Sequence, residues 1–202
     1  MRLAILLSGR GSNFEAIHRA FAGAIVCVLS NRPEARGLAR ARELGLTTHA
    51  IDHRDYPTRE AHEEEVLRVL AEAKPDFICL AGYMRLLSPA FVAAYPHRIL
   101  NIHPSLLPSF PGVHAQRQAL EYGVRISGCT VHFVDENLDA GPIVVQRSVE
   151  VLDGDSADSL AARILEQEHI AYVEALTKLS TRAWRVEGRR VIFELSVPPP
   201  DN

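Results

Sequence analysis

An amide and an imidazole stand two positions apart where an apolar stretch of the sequence ends. In RILNIHPSLLPSFPGV, Ile99 and Leu100 lead directly into Asn101 and His103. Positions i and i+2 of an extended strand face the same side, so both side chains would reach one space. There an amide could stabilise an oxyanion while an imidazole moved a proton. The alternative is structural, with Asn101 capping the loop and His103 bonding to backbone carbonyls.

A stiff loop and a distant carboxylate bear on this pair. Three prolines in PSLLPSFP restrict the backbone after the strand, which would hold the two side chains in place. Further along, in DENLDAGPIVVQ, Asp139 stands in a turn that enters another strand. Its carboxylate could pair with His103 and hold an imidazolium charge, or it could serve only as a turn residue. The spacing of the residues leaves both possibilities open.

The remaining histidines and the cysteines predict no metal site. His132 alternates with apolar residues in TVHFV and is more typical of a structural strand histidine, whereas His114 closes the stiff loop. The nine histidines lack metal-ligand spacing, and the three cysteines form no CxxC pair. We therefore expect three buried free thiols and no bound metal. A serine nucleophile elbow, GxSxG, is also absent from the sequence.

A glycine-rich loop, SGRGSN, follows the first predicted strand and precedes the first predicted helix. Ser12 and Glu15 fit a capping box. The amides of Gly11, Ser12 and Asn13 would then lie at a helix N-terminus, where an anion is favoured. Phe14 replaces the third glycine of a dinucleotide fingerprint, and no lysine supports a P-loop. A single phosphate monoester fits this loop best, and a plain tight turn is the alternative.

Strands and helices alternate along most of the chain. The strands are continuous apolar runs, which is typical of a parallel sheet covered on both faces. Two late strands, 129–134 and 143–151, are joined too closely for a helix and favour an antiparallel pair. The predicted fold class is α/β, a Rossmann-like doubly wound and mostly parallel sheet with an antiparallel strand toward the C-terminal half. The other predicted elements are strands at 3–7, 24–29, 48–52, 77–81 and 98–102, helices from 12 and at 33–45, 57–73, 88–95, 115–122 and 157–179, and a hairpin in AWRVEGRRVIFE.

Length and composition limit the class of protein. The chain has 202 residues, 47% hydrophobic residues and a net charge of −3. We expect one domain over 1–187, then 188–202 with a last hairpin strand and a disordered Pro-rich tail. No basic footprint for nucleic acid is present, and the apolar run Leu3–Leu7 is too short for a signal core or a membrane span. We expect a cytoplasmic protein without nucleic-acid or membrane partners, a monomer or a homodimer, since the final hairpin could cover its own sheet or that of a neighbour.

Several segments together resemble one family. The similarity is to the phosphoribosylglycinamide formyltransferases, extends over about 2–187, and is carried by LLSGRGSNF, SNRPEARGLARA, LAGYMRLLSP, ILNIHPSLLPSFPGVHAQRQAL, CTVHFVDENLDAGPIVVQ and QEH. The resemblance implies the formyltransferase fold. It also implies transfer of the formyl group of 10-formyltetrahydrofolate, as co-substrate, to the amino group of glycinamide ribonucleotide in purine biosynthesis.

The resemblance further implies roles for individual residues. Asn101 and protonated His103 would stabilise the tetrahedral oxyanion, and Asp139 would support His103 and proton transfer. The implied substrate-binding positions, for the phosphate and the ribose, are Gly11, Ser12, Asn13 and Glu168. The implied folate-binding positions are Arg59, Met84, Arg85, Leu86, Leu87, Asn101, Asp135 and Asp139, with His114 and His132 in possible supporting positions.

Two positions depart from the family pattern. Gln116 stands where many members carry a second histidine, and Leu165 stands where relatives often have a polar residue near the phosphate. Both changes affect peripheral substrate contacts rather than the chemistry.

Four other functions compete with this one. Methionyl-tRNA formyltransferase would need an additional C-terminal domain, and formyltetrahydrofolate deformylase usually carries an N-terminal regulatory domain. Neither relative is expected to keep SGRGSN as a phosphate site. A non-catalytic nucleotide-binding sensor could use the glycine loop but does not need Asn101, His103 and Asp139 together. An NADP-binding reductase could use Arg32 for a 2′-phosphate, but Phe14 counts against it.

Overall fold

A mixed β-sheet forms the centre of the protein. The computed structural model describes residues 1–194. Within them the strands are β1 (Leu3–Leu7), β2 (Ile25–Ser30), β3 (Thr48–Ala50), β4 (Phe77–Leu80), β5 (Ile99–His103), β6 (Ile126–Phe133), β7 (Ile143–Glu150), β8 (Trp184–Glu187) and β9 (Arg190–Phe193). Their order across the sheet is β3-β2-β1-β4-β5-β6-β7-β9-β8. The helices are α1 (Ser12–Phe21), α2 (Arg36–Glu43), α3 (Arg59–Ala73), α4 (Pro89–Ala94), α5 (Ala115–Tyr122) and α6 (Ala157–Thr181).

The sheet is parallel in its first part and mixed in its second. β3, β2, β1, β4 and β5 are parallel neighbours, whereas β6 runs antiparallel to both β5 and β7. Residues 134–142 connect β6 to β7 without a helix, and so short a connection suits antiparallel neighbours. The predicted fold class is confirmed.

Helices cover both faces of the central parallel strands, which explains why β1 and β4 are apolar throughout. Along β1, Leu3, Ile5 and Leu7 belong to one buried cluster, while Ala4 and Leu6 belong to the other. Residues of α1, α2, α5 and α6 complete the first cluster, and residues of α3 and α4 complete the second. Each residue of β1 is therefore removed from water, whichever way it points.

The same alternation sets the direction of Asn101 and His103. In β5, Ile99 packs into the cluster with α3 and α4, and Leu100 packs into the cluster on the opposite face. Asn101 and His103 follow Ile99 at even spacing and share its face. They also lie at the carboxyl end of a parallel strand, the edge at which open α/β sheets bind ligands.

The glycine loop begins α1 differently from the prediction. Gly11 occupies the N-cap position with a φ of 82°, in the left-handed region, and no side chain caps the helix. The amide of Glu15 donates to the Gly11 carbonyl at 2.9 Å. The predicted Ser12–Glu15 capping box is therefore wrong, because Ser12 is already the first helical residue.

The second helix begins later than predicted. The expected start was Pro33, but α2 starts at Arg36. The residues after β2 form a turn first, in which the amide of Ala35 donates to the carbonyl of Arg32 at 3.1 Å. This turn leaves Arg32 exposed beside the glycine loop rather than inside a helix.

The final hairpin extends the protein's own sheet. β8 and β9 pair in antiparallel fashion, and Arg190 of β9 pairs with Ile143 of β7. Of the two expected uses of the hairpin, covering its own sheet is therefore the one observed. The Pro-rich tail beyond Glu194 lies outside the described residues, and the domain boundary at 187 stays a prediction. In residues 1–194 no helix is both long and apolar enough to span a membrane.

A contact between two glycines holds the glycine loop against α2. A Cβ added to Gly37 would lie 2.9 Å from the Cα of Gly11 and 2.9 Å from Cδ2 of Leu7. The amide of Gly37 also donates to the carbonyl of Gly9 at 3.0 Å. Because backbone meets backbone here, neither side can move aside for a methyl group.

We predict that Gly37→Ala destabilises the protein by about 1–3 kcal/mol through this overpacking, despite the better helix propensity of alanine. The matched control is Gly154→Ala, since a Cβ at Gly154 meets nothing within 4 Å. The control should leave stability unchanged or raise it by up to about 1 kcal/mol. Denaturant unfolding of the two variants measures the difference, and equal midpoints would contradict the contact.

Candidate active site

Four polar side chains from three separate segments meet on the face of β5. The register of β5 and β6 places Asn101 opposite His132, and Nδ2 of Asn101 lies 3.3 Å from Nε2 of His132. Nδ1 of His103 lies 3.4 Å from Oδ2 of Asp139, and Nε2 of His132 lies 3.8 Å from Oδ1 of Asp139. The structure thus brings together the residue pair at the strand end and the distant carboxylate.

The protonation of His132 follows from its partners. Its Nδ1 lies 2.9 Å from the carbonyl oxygen of Phe133, which can only accept, so Nδ1 carries the proton. Burial lowers the pKa of His132, more than the Phe133 carbonyl and the Asp139 carboxylate raise it. The ring is therefore neutral near pH 7, and its Nε2 accepts from the amide of Asn101. One N–H of that amide stays available for another acceptor.

His103 is held between two acceptors. Its Nε2 lies 2.8 Å from the carbonyl oxygen of Phe110, and its Nδ1 faces the carboxylate of Asp139. A proton on each nitrogen lets the ring donate to both oxygens, whereas a proton on one nitrogen lets it donate to only one of them. The contact with the Phe110 carbonyl agrees with a purely structural role for His103. The contact with the Asp139 carboxylate is an additional one that a structural role does not predict.

The position of Asp139 depends on its own turn. Asp139 has a φ of 50°, and its Oδ2 accepts the amide proton of Gly112 at 2.8 Å. A Cβ on Gly141 would lie 1.9 Å from the carbonyl oxygen of Phe133, so only glycine allows this approach to β6. The turn and the loop after β5 are therefore fixed to each other through one carboxylate.

The segment after β4 lies beside these residues in the sheet. Leu80 pairs with Asn101 in register, and the chain then continues through Ala81 to Ser88. Met84 and Leu86 are 70% and 65% exposed, so both are free to contact a ligand. Arg85 and Leu87 are half-buried in the same segment.

Two buried polar groups anchor this segment. Oγ of Ser8 accepts the amide proton of Met84 at 2.8 Å, and Oε1 of Glu63 accepts that of Ser88 at 2.9 Å. Sequence analysis missed both. Ser8 could have been noticed as the first residue of SGRGSN, but Glu63 gives no signal in a charged helical stretch.

The other predicted folate-side and supporting residues lie in varied positions. Oδ1 of Asp135 accepts the amide proton of Asn137 at 2.9 Å, which shapes the loop between β6 and β7. His114 is exposed at the start of α5, with a φ of 62°. Arg59 begins α3 and forms a surface ion pair with Glu60 at 3.2 Å. The contacts of His114 and Arg59 within residues 1–194 do not link them to Asn101, His103 or Asp139.

A cavity of about 730 Å³ opens on the glycine loop at the carboxyl edge of β1 and β4. Its walls include Gly11, Ser12 and Asn13, together with Glu168 of α6 and Met84. Nδ2 of Asn13 donates to Oε2 of Glu168 at 2.7 Å, while Oδ1 of Asn13 is buried without a hydrogen-bond partner in the described chain. The structure thus brings together the four predicted substrate residues.

Four further residues line the same cavity. They are the two departures from the family pattern, Gln116 and Leu165, and two cations, Arg10 and Arg32. Sequence analysis did not assign the arginines to this site, although Arg10 stands inside SGRGSN. Arg32 could have been found only by knowing the turn that precedes α2. No cluster of three or more metal-ligating side chains occurs in residues 1–194.

Comparison with known proteins identifies the family. The model of the formyl transferase family matches residues 1–176. Phosphoribosylglycinamide formyltransferase of Escherichia coli K12 is 43% identical over 199 residues, which cover 96% of this chain and 91% of that protein. The chain belongs to the formyl transferase family. The crystal structure of glycinamide ribonucleotide transformylase 1 from Symbiobacterium toebii superimposes with a TM-score of 0.92 at 45% identity, covering 96% of this chain and 93% of that one.

Other members of the family differ in length or in named activity. The trifunctional purine biosynthetic protein adenosine-3 of Drosophila pseudoobscura is 47% identical over 91% of this chain, but the chain spans only 14% of its length. A formyltetrahydrofolate deformylase from Pseudomonas syringae has a TM-score of 0.85 at 27% identity, and the chain covers 65% of it. The resemblance to phosphoribosylglycinamide formyltransferases that the motifs predicted is confirmed.

We predict that Glu168→Gln stabilises this formyl transferase at neutral pH. Burial raises the pKa of Glu168, and the bond from Asn13 lowers it by less. When the pKa of a carboxyl group is higher in the folded state, the protein keeps its full stability below the pKa of the unfolded state, near 4.3. It loses stability as the pH rises through the pKa of the folded state. The neutral amide avoids this loss and keeps an acceptor for Asn13.

Denaturant midpoints at pH 4 and pH 7 measure this effect. The variant should exceed the native protein at pH 7 and match it near pH 4. Glu166→Gln is the control, because Glu166 is exposed on the same helix. An equal or lower midpoint for Glu168→Gln at pH 7 would show that burial of the charge costs nothing.

Proposed function

We propose that the protein transfers the formyl group of 10-formyltetrahydrofolate to the amino group of glycinamide ribonucleotide in purine biosynthesis. The products are N-formylglycinamide ribonucleotide and tetrahydrofolate. The observation that carries the proposal is the meeting of Asn101, His103 and Asp139 at the end of β5. β5 pairs with β4, and the segment after β4 lines a cavity that begins at helical amides. One place can therefore hold both a phosphorylated amine and a reacting carbonyl.

The chemistry proceeds through a tetrahedral adduct. The amine nitrogen attacks the formyl carbon, and the carbonyl electron pair moves onto oxygen. The free N–H of Asn101 would donate to this oxyanion, and the positive charge of protonated His103 would stabilise it. When the adduct collapses, the bond between the formyl carbon and N10 of the folate breaks. The amine nitrogen loses one proton, and N10 gains one. His103, supported by Asp139, carries out this proton transfer.

The folate would bind along the segment after β4. Met84, Arg85, Leu86 and Leu87 would contact the pterin through backbone groups and exposed apolar side chains, and Asp135 would shape the opposite loop. Arg59 would meet an anionic group of the folate at the protein surface. His132 supports the centre by orienting the amide of Asn101, and His114 borders the loop after β5.

The ribonucleotide would bind in the cavity. The amides of Gly11, Ser12 and Asn13 would receive the phosphate, because a helix N-terminus favours an anion. Glu168 and the unpartnered Oδ1 of Asn13 are acceptors suited to ribose hydroxyl groups. This phosphate site favours transformylase over the alternative, formyltetrahydrofolate deformylase or another formyltransferase, because deformylation needs only water.

We further propose a cytoplasmic protein that acts on these two small molecules and has no nucleic-acid or membrane partner. The three cysteines support a reducing compartment, since all are buried free thiols. The protein would work as a monomer or a homodimer.

The proposal is tested by mixing the purified protein with 10-formyltetrahydrofolate and following its deformylation by absorbance, with and without glycinamide ribonucleotide. Turnover that requires the ribonucleotide establishes the transformylase. Turnover without it, with release of formate, establishes the deformylase instead. No turnover in either mixture withdraws the catalytic claim and favours a nucleotide-binding sensor.

We predict that His103→Ala and Asp139→Ala each lower kcat by about a hundred- to ten-thousandfold, the usual range for loss of a general acid or base. The free energy of unfolding should change far less, which denaturant titration checks. His97→Ala is a control, because His97 is exposed before β5. Near-full turnover in both active-site variants would show that the assigned mechanism is wrong.

A further inference from the structure

Two arginines supply the cationic side chains that line the cavity. Arg10 stands in the loop between β1 and α1, and Arg32 stands in the turn between β2 and α2. The cavity-lining residues otherwise carry charge only at Asp158 and Glu168, both acidic. The two arginines therefore supply the positive charge among the residues that line the cavity.

Both backbones are fixed while both guanidinium groups are free. Arg10 lies between Gly9, whose carbonyl accepts from Gly37, and Gly11, which packs on Gly37. The amide of Arg32 donates to Oγ of Ser30 at 3.1 Å. Neither guanidinium forms a hydrogen bond or an ion pair with residues 1–194, whereas Arg54, Arg68 and Arg163 do so with nearby carboxylates.

The charge of a phosphate monoester exceeds what the helix alone can neutralise. A helix N-terminus is equivalent to roughly half a positive charge, whereas a phosphate monoester carries about −1.5 to −2 near pH 7. Gln116 and Leu165 line the cavity at the two positions where the family often has a histidine or another polar residue, and neither is charged here. The missing charge must come from other side chains of the cavity.

The cavity also presents acceptor oxygens. Glu168 accepts from Asn13, and the buried Oδ1 of Asn13 has no donor among the described residues. These oxygens suit hydroxyl groups and repel an anion. A phosphate is therefore directed toward the amides of Gly11 and Ser12, and toward the arginines beside them.

We propose that Arg10 and Arg32 bind the phosphate of the ribonucleotide, and that in this chain they provide the positive charge that Gln116 and Leu165 lack. The inference rests on the proposed function. The arginines act on binding, not on the formyl transfer, because within residues 1–194 neither forms a hydrogen bond or an ion pair with Asn101, His103 or Asp139.

The test uses Arg10→Gln, Arg32→Gln and the double variant, with Arg19→Gln as control, since Arg19 is an exposed arginine of α1 outside the cavity. Each single substitution should raise the KM for glycinamide ribonucleotide about tenfold, the effect of losing one hydrogen bond between charged groups. The kcat and the KM for 10-formyltetrahydrofolate should not change. The control should match the native protein in every constant.

A second measurement separates phosphate contact from a structural effect. Glycinamide riboside lacks the phosphate, so its affinity, measured by calorimetry, should be the same in the native and double-variant proteins. If riboside and ribonucleotide affinities fall together, the arginines act on the structure of the site and the proposal is wrong. Unchanged KM values for the ribonucleotide in both single variants also overturn it.

A third measurement does not depend on catalysis. Inorganic phosphate should raise the melting temperature of the native protein and of Arg19→Gln, and should raise that of the double variant much less. If the native protein shows no turnover but keeps this difference, the proposed function fails while the phosphate site stands. If turnover is present and phosphate stabilises all proteins equally, the proposed function stands and the role of the arginines is refuted.

Discussion

The carboxylate of Asp139 is the interaction on which the rest of the centre depends. It is almost completely buried, and a buried charge is stable only when donors surround it. The amide of Gly112 donates to its Oδ2, and Nδ1 of His103 faces the same oxygen. The loop after β5, the end of β5 and the turn before β7 must therefore assemble together, because each supplies or satisfies part of one charge. Asn101 is then fixed indirectly, through the neutral ring of His132.

The absence of a side-chain cap on α1 is a second constraint with a functional consequence. A serine at the N-cap would accept from the amides of the second or third helical residue and so compete with a bound anion. Gly11 takes that position instead and has no side chain with which to do so. The conformation costs little, because glycine adopts a positive φ readily, and Gly37 provides the space against α2. The helix thus begins with its amides available.

Most of the fold could be predicted from local patterns, because apolar runs and turn residues act within a few positions of each other. The parallel strands, the antiparallel pair and the final hairpin all follow from such patterns. The pairing of Asp139 with His103 could not, since 35 residues lie between them and only the packed turn at Gly141 decides the distance. His132 shows the same limit. The alternating pattern of TVHFV correctly predicts that His132 lies in a strand. That it lies opposite Asn101 depends on the register of β6 against β5, which the pattern does not predict.

The cavity combines hydrogen-bond donors and acceptors in its wall. The donors are helical amides and guanidinium groups without partners in residues 1–194, and the acceptors are carboxylate and amide oxygens. Asn13 contributes to both sets, because its backbone amide belongs to the glycine loop while its side chain binds Glu168. A molecule with a phosphate and hydroxyl groups could use the donors for its phosphate and the acceptors for its hydroxyl groups. Burial raises the pKa of Glu168 and so makes its charge costly in the empty protein. That cost falls when a ligand hydroxyl donates to the carboxylate, so the energy stored in the unliganded site favours a ligand that carries a hydroxyl group there.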